Sequence, residues 1–299
     1  MTLSTVAFQT FATLLKARSG LAIGPDKAYL LEARLAALLR RLDLGGLDAL
    51  AARLRLPGQD ALAAEVVEAM TTNESFFFRD DKPFAHFRTH ALPRLCAARP
   101  AGTGLRIWSA AAATGQEAYS IAMLIADLRA SIGARPVAIL GTDIARAPLE
   151  RARAGLYTQF EVQRGLPITM LVRHFRKEAA GFRVRDELRA AVEFREFNLL
   201  GDLRPLGPFD VVFCRNVLIY FDGPTKTRVL AAIAAQMAPD GVLYLGGAET
   251  LFGITDRFAT IPGEPGAYRP TPTAACAPPD SAASPCRPLA AATGCRRRA

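Results

Sequence analysis

Cysteine is scarce in these 299 residues: Cys96, Cys214, Cys276, Cys286 and Cys295 are the full set, and no two form a CxxC pair. Zinc sites and disulfide scaffolds need paired or regularly spaced thiols, so neither is expected and inert thiols are the reading left. The chain also lacks any apolar run of the roughly 18 uncharged residues that a membrane span requires. Its start, MTLSTVAFQTFATLLKAR, has no basic segment leading into an apolar block and a small-residue cleavage site. No membrane insertion is expected, and the cytoplasm is the expected compartment. Glycine is sparse where a nucleotide loop would need it most. The stretch WSAAAATGQEAYS, Trp108 to Ser120, carries an unbroken run of four alanines, Ala110 to Ala113, and one glycine, Gly115.

What is present is a large apolar inventory. Hydrophobic residues make up 51% of the chain, enough to bury a sizeable core, and a prior of roughly 150 residues per domain allows two domains. The formal charge of +9 would suit nucleic acid if it were clustered. Part of it sits in the last thirty residues, where Arg287, Arg296, Arg297 and Arg298 outweigh Asp280. That segment, 270–299, is rich in Pro, Ala and Ser with almost no large apolar residues, and is expected to be a disordered tail. The other arginines are scattered rather than interleaved with aromatics in one strip, and no nucleic-acid partner is expected.

Residues 1–70 read as an all-helical domain. Phe8, Phe11, Leu14 and Leu15 recur at helical spacing, as do Leu30, Leu31, Leu35, Leu38, Leu39 and Leu42, and LDALAARLR and DALAAEVVEAM add two shorter helices. Two antiparallel helix pairs would bury these stripes together. Lys16, Arg18, Lys27, Arg34, Arg40 and Arg41 lie beside them, either as a solvated face or as a docking surface for an acidic helix. A linker over 71–84 follows. From 85 to 269, strands such as LRIWSAA, VAILGTDIA and FDVVFCRNVLIYF alternate with helical stretches such as QEAYSIAMLIADLRASIG. This is an α/β pattern: a Rossmann-like, mostly parallel, doubly wound sheet with ligands at the carboxyl ends of its strands. Within it, FRVR and VEFREF alternate with period two around a turn-like DEL, and predict an antiparallel β-subdomain over about 170–196.

The chemistry gathers at the predicted strand ends. Ala110 to Ala113 let backbone approach a ligand closely, yet a loop with one glycine is poorly suited to wrapping a pyrophosphate. A nucleoside without phosphate fits better. Asp143, ending VAILGT, stands where an acidic residue grips ribose hydroxyls, although it would equally cap the next helix. Asn198 and Leu199 end a later strand and could pair with an adenine edge. In MTTNESFFFRD, Met70 to Asp80, Asn73 and Ser75 offer neutral hydrogen bonds and Arg79 a fork for a carboxylate. Phe76, Phe77 and Phe78 could cover a ligand or fill the core. Together these positions suit an adenosyl ligand with an amino-acid end.

TTNESFFFR, WSAAAATGQEAYSIAM, TDIARAPLERARAGLY, FNLL, GPFDVVFCRNVLIYF and GGAET resemble, in this order, the blocks of the CheR family of chemotaxis receptor methyltransferases. The resemblance covers everything but the tail. It implies methyl transfer from S-adenosylmethionine to glutamate side chains of chemoreceptor cytoplasmic helices, leaving methyl esters and S-adenosylhomocysteine. By matching motifs it implies that Asn73, Ser75 and Arg79 hold the methionine end, with Glu117 near the amino group. Asp143 takes the ribose, and Asn198 with Leu199 the adenine. Ala111, Gly115, Asn216 and Val217 complete the cofactor wall, while Arg215 and Tyr220 line the reactive end as catalytic residues. Arg215 is expected to orient the incoming carboxylate.

Three positions depart from the family pattern: Ser75 replaces threonine and keeps a hydroxyl, Gln116 replaces glutamate, and Ala118 replaces proline. HFRKEAAGFRVR is shorter than in relatives that grip a receptor pentapeptide, which predicts an enzyme independent of that tether. The expected partner is a chemoreceptor cytoplasmic helical bundle, met by a monomer. The alternatives are a nucleic-acid methyltransferase and a non-catalytic S-adenosylmethionine or S-adenosylhomocysteine sensor.

Overall fold

A computed structural model describes residues 3–271 of the chain. The expected tail from residue 272 onward, with Cys276, Cys286 and Cys295, lies outside the described residues.

Four helices open the fold: α1 (Thr5–Ser19), α2 (Ala28–Arg41), α3 (Leu47–Leu54) and α4 (Asp60–Met70). Their apolar stripes meet in one cluster containing Phe8, Phe11, Leu15, Leu31, Leu35, Leu50, Val66 and Val67. α1 and α2 each pack on both α3 and α4. Ser4 caps α1 by accepting a hydrogen bond from the Ala7 N–H. Most of the basic side chains noted on this surface are occupied within the molecule. Lys16 pairs with Asp222, Arg18 with Asp60 and Arg41 with Glu65, and Arg34 donates to the carbonyls of Met70 and Thr71.

α5 (Lys82–His86) and α6 (Leu92–Ala98), joined through one turn of π-helix, lead into the sheet. The remaining elements are β1 (Leu105–Ala110), α7 (Gln116–Asp127), α8 (Arg129–Ile132), β2 (Val137–Asp143), α9 (Arg146–Ala154) and β3 (Leu156–Tyr157). Next come α10 (Gln159–Gln163), α11 (Ile168–His174), β4 (Phe175–Glu178), β5 (Gly181–Val184), α12 (Asp186–Ala190) and β6 (Val192–Glu196). β7 (Phe209–Cys214), α13 (Gly223–Ala235), β8 (Met237–Tyr244), β9 (Phe258–Thr260) and β10 (Ala267–Pro270) complete the chain.

The main sheet has the order β6-β2-β1-β7-β8-β10-β9, parallel from β6 to β8 and antiparallel at β10 and β9. Both faces are buried. Ile107, Ile139, Val211 and Phe213 point into one apolar cluster, while Trp108, Leu140 and Val212 point into the other, as expected for strands covered by helices on each side. The chain winds outward from β1 through β2 to β6, then returns to the other side of β1 with β7. The switch point therefore lies between β1 and β7.

The antiparallel appendage differs from the sequence expectation. FRVR, in β5, pairs with β4 and β3 in a separate sheet of order β3-β5-β4. VEFRE, as β6, instead joins the main sheet parallel to β2, and the segment DEL forms α12. Period-two alternation marks each segment as a strand but does not choose its partner; burial does. Val192 and Phe194 fill the main core, and Phe194 lies over Gly141 of β2, where a Cβ would come within 2.7 Å of its ring.

Candidate active site

The carboxyl ends of β1, β2, β6 and β7 open into a cleft of about 1000 Å³, counting the space at its mouth. The extended strip 71–76 and residues Ser19, Leu21 and Met70 of the helical domain form the facing wall. The two domains meet here directly. Leu21 makes an antiparallel bridge to Phe221, and the Ala22 N–H donates to the Tyr220 carbonyl at 2.9 Å.

Backbone in sparsely populated conformations concentrates around the cleft. Of seven non-glycine residues with positive φ among the described residues, six flank it: Phe78, Asp80, Asp81, Ala111, Ala113 and Asn216. Such residues cost of order 1 kcal/mol or more each and persist where the surroundings hold them. The alanine loop is held by its neighbour strand: the Ala112 N–H donates to the Thr142 carbonyl and the Ala113 N–H to Asp143 Oδ2, both at 2.8 Å.

Asp143 lies on the cleft wall and is buried. Burial raises its pKa, opposed by backbone N–H donors from Ala145, Ala113 and Ile144. Its Oδ1 accepts from Ala145 at 2.9 Å, so it supports the loop before α9 as well as the alanine loop. A carboxylate offers about four acceptor positions, which leaves room for a diol.

Arg79 and Arg215 differ sharply. Arg79 lines the cleft, donates to the Glu74 carbonyl at 3.1 Å and stands 5.4 Å over the Phe76 ring. Among the described residues it pairs with no carboxylate, so its cation is available to an anionic ligand. Arg215 has a side chain only 1% exposed. It donates to Glu117 Oε2 at 2.9 Å, to Asp80 Oδ2 at 2.8 Å and to the Arg79 carbonyl at 2.6 Å, and its Nε is buried without a partner. Arg215 also lines the cleft, and orienting an incoming carboxylate, its expected role, would require its present partners to yield. Two protein carboxylates already occupy the guanidinium, which fixes Glu117 from below. Ser109 Oγ donates to the other oxygen of Glu117 at 2.8 Å.

Every other expected site residue lines the cleft, with one exception. Asn73, Ser75, Ala111, Glu117, Leu199, Asn216, Val217 and Tyr220 all do, as does Asn198. The Asn198 amide, however, donates to the Arg18 carbonyl at 2.6 Å and its Oδ1 accepts from the Leu200 N–H at 3.0 Å. Its main bonds thus tie α1 to the end of β6, and pairing with an adenine edge is left to whatever donor remains. Gly115 is the exception: it does not line the cleft. It caps α7 with φ of +92°, and a Cβ there would sit 2.8 Å from the Ala152 Cβ. Only glycine combines that left-handed backbone with such close packing. The single glycine of the loop thus serves the packing against helix α9, while Ala111 and Ala113 line the cleft.

Residues 7–71 match the CheR methyltransferase all-alpha domain, and residues 73–267 match the CheR methyltransferase SAM binding domain. The chain belongs to the CheR methyltransferase family. It is 37% identical over 270 residues to chemotaxis protein methyltransferase Cher2 of Pseudomonas putida, covering 89% of this chain and 98% of that protein. It is likewise 37% identical to chemotaxis protein methyltransferase 1 of Vibrio cholerae, covering 89% of this chain and 97% of the relative. With the chemotaxis protein methyltransferase of Escherichia coli it shares 34% identity over 271 residues, 88% of this chain and 91% of that one. The protein is an S-adenosylmethionine-dependent methyltransferase.

The donor set of the cleft fits that cofactor. A buried acidic acceptor at the end of β2, an uncompensated arginine on the strip and apolar Ile144, Phe197 and Leu199 between them suit a ribose, a carboxylate and a base. Sequence reasoning missed the contributions of Ser19, Leu21 and Ile144. Ser19 and Leu21 carry no motif and reach the wall only through docking of the helical domain, whereas Ile144 directly follows Asp143 at the end of β2. It also missed Asp80 as an Arg215 partner, although Asp80 follows Arg79 directly.

Proposed function

We propose that this methyltransferase esterifies glutamate side chains on the cytoplasmic helices of chemoreceptors, in sensory adaptation. The observation that carries this reading is the presence, in one cleft, of an Arg79 that meets no carboxylate among the described residues and a buried Asp143, in a chain whose relatives are chemotaxis protein methyltransferases. S-adenosylmethionine supplies a methyl group activated on a sulfonium and leaves as S-adenosylhomocysteine.

The residues of this chain have limited work to do. A glutamate with a reference pKa of about 4.3 is already anionic at neutral pH, so no general base is required. Alignment and exclusion of water dominate instead. Arg79 holds the carboxylate of the methionine end, assisted by Asn73 and Ser75. Glu117, fixed by Arg215 and Ser109, faces the amino group. Asp143 accepts from the ribose hydroxyls. Tyr220, half-buried on the wall at the end of β7, packs or hydrogen-bonds beside the transferring methyl. A receptor pentapeptide is not needed for docking: β4 and β5 are joined by only Ala179 and Ala180, which leaves little loop to form a grip.

The test is incubation with methyl-labelled S-adenosylmethionine and receptor cytoplasmic fragments, followed by mild base. Label released as methanol from receptor glutamates supports the reading, whereas tight cofactor binding without transfer to any fragment overturns it. Tight, sequence-specific capture by a receptor pentapeptide would remove the tether-independent part alone.

A further inference from the structure

The wall formed by Asn216, Val217 and Tyr220 has no regular secondary structure beyond one 3-10 turn, Leu218–Tyr220. Asn216 holds φ of +59°, a conformation that costs energy for a residue with a side chain. Asparagine tolerates that region better than most side chains, and contacts from outside the segment add to its hold. One carboxylate does so. Glu249, in the loop after β8, directs Oε2 at the N–H groups of Asn216 and Gly246, at 2.8 and 2.7 Å. Its Oε1 accepts from Val217 at 3.0 Å and from Ile219 at 3.2 Å. Four backbone donors thus converge on one side chain that is 9% exposed, and both oxygens are used twice.

This clamp joins the exits of two adjacent parallel strands, β7 and β8. Glu249 does not line the cleft itself, whereas Asn216, Val217 and Tyr220 do. From the other side, Gly246 approaches the segment so closely that a Cβ would lie 2.6 Å from Asn216 Nδ2 and 2.9 Å from the Asn216 nitrogen. We infer that Glu249 is a positioning residue for the methyl-transfer site: its carboxylate sets the backbone path from Asn216 to Tyr220, and through it the wall of the cofactor cleft. A carboxylate suits the task because four N–H groups aimed at one point need an acceptor-only, charged partner. Glutamine would turn an amide –NH₂ toward two of those donors.

The inference rests on the cleft being the cofactor site, and does not depend on which protein is methylated. Its test therefore uses binding of S-adenosylhomocysteine, measured by calorimetry on folded full-length protein, with melting curves in parallel. Glu249→Gln is expected to weaken binding at least tenfold, with Glu249→Asp falling between it and the parent. Gly246→Ala crowds Asn216 while leaving the Glu249 carboxylate in place and is expected to weaken binding similarly, which keeps the test decisive if Glu249→Gln does not fold. Ile233→Val, in the buried core of α13, controls for lost stability and is expected to bind as the parent does. Binding within twofold of the parent by Glu249→Gln, or by Gly246→Ala where Glu249→Gln does not fold, overturns the inference. So does an equal loss of affinity in Ile233→Val. Failure of receptor methylation with this binding pattern intact would count against the choice of acceptor and leave the positioning role standing.

Discussion

Arg215 at the end of β7 donates to Glu117 in the first turn of α7 across 2.9 Å, and this buried pair ties together the two elements that flank the switch point of the sheet. The carboxylate also sits at a helix N-terminus, where negative charge is favoured. Buried pairs of this kind add little net stability when intact, but removing one partner leaves an uncompensated charge. Arg215→Ala is therefore expected to cost about 3–5 kcal/mol in urea denaturation, and Arg215→Met with Glu117→Gln should recover a large part of it. A double variant no more stable than Arg215→Ala alone would show that the pair is not what Arg215 serves.

Arg79 gives the opposite expectation. Its guanidinium meets no carboxylate among the described residues and contacts one carbonyl and one ring, so Arg79→Gln should change stability by less than about 0.5 kcal/mol. Affinity for S-adenosylhomocysteine should fall about 10- to 100-fold, the equivalent of a charge-assisted hydrogen bond of roughly 1.5–3 kcal/mol. Methylthioadenosine, which lacks the amino-acid end, should bind parent and variant alike. Equal losses for the two ligands would place Arg79 elsewhere than at the methionine carboxylate.

Gly141 lies in the middle of β2 under the ring of Phe194, whose edge would stand 2.7 Å from an added Cβ. Overpacking at such a site costs typically about 1–3 kcal/mol. Gly141→Ala should lower the melting temperature accordingly, and pairing it with Phe194→Leu should restore part of the loss. Two strictly additive effects would mean that the ring and the glycine are not coupled.

His86 is buried, with Nδ1 2.7 Å from the Tyr244 hydroxyl. Burial lowers its pKa below the ordinary 6.5, Glu264 opposing and His90, Arg269 and Arg94 reinforcing the shift. The unfolded chain takes up this proton near 6.5 and the folded one only at lower pH. Stability from His86 is therefore fully present above 6.5 and is lost as pH falls through the window down to the lowered value. Urea midpoints measured from pH 7.5 to 5.5 should fall more steeply for the parent than for His86→Gln. Parallel curves would assign the acid sensitivity to other groups.

Much of this protein was written in its periodicities. The helical domain and the alternation of strand and helix follow from apolar spacing and turn residues, because burial of an amphipathic face is a local pattern with a global consequence. Family motifs marked residues that do line the cleft. What the chain order left open was partnership. VEFRE alternates as FRVR does, yet one strand entered the main sheet and the other the appendage, a choice made by Phe194 over Gly141. Arg79 and Arg215 both stood beside expected ligand contacts. Only packing turned one toward the open cleft and buried the other between Glu117 and Asp80. Charge type is a property of sequence, whereas which opposite charge it meets depends on contacts between residues 98 and 135 positions apart, and these exist only once the sheet has closed around them.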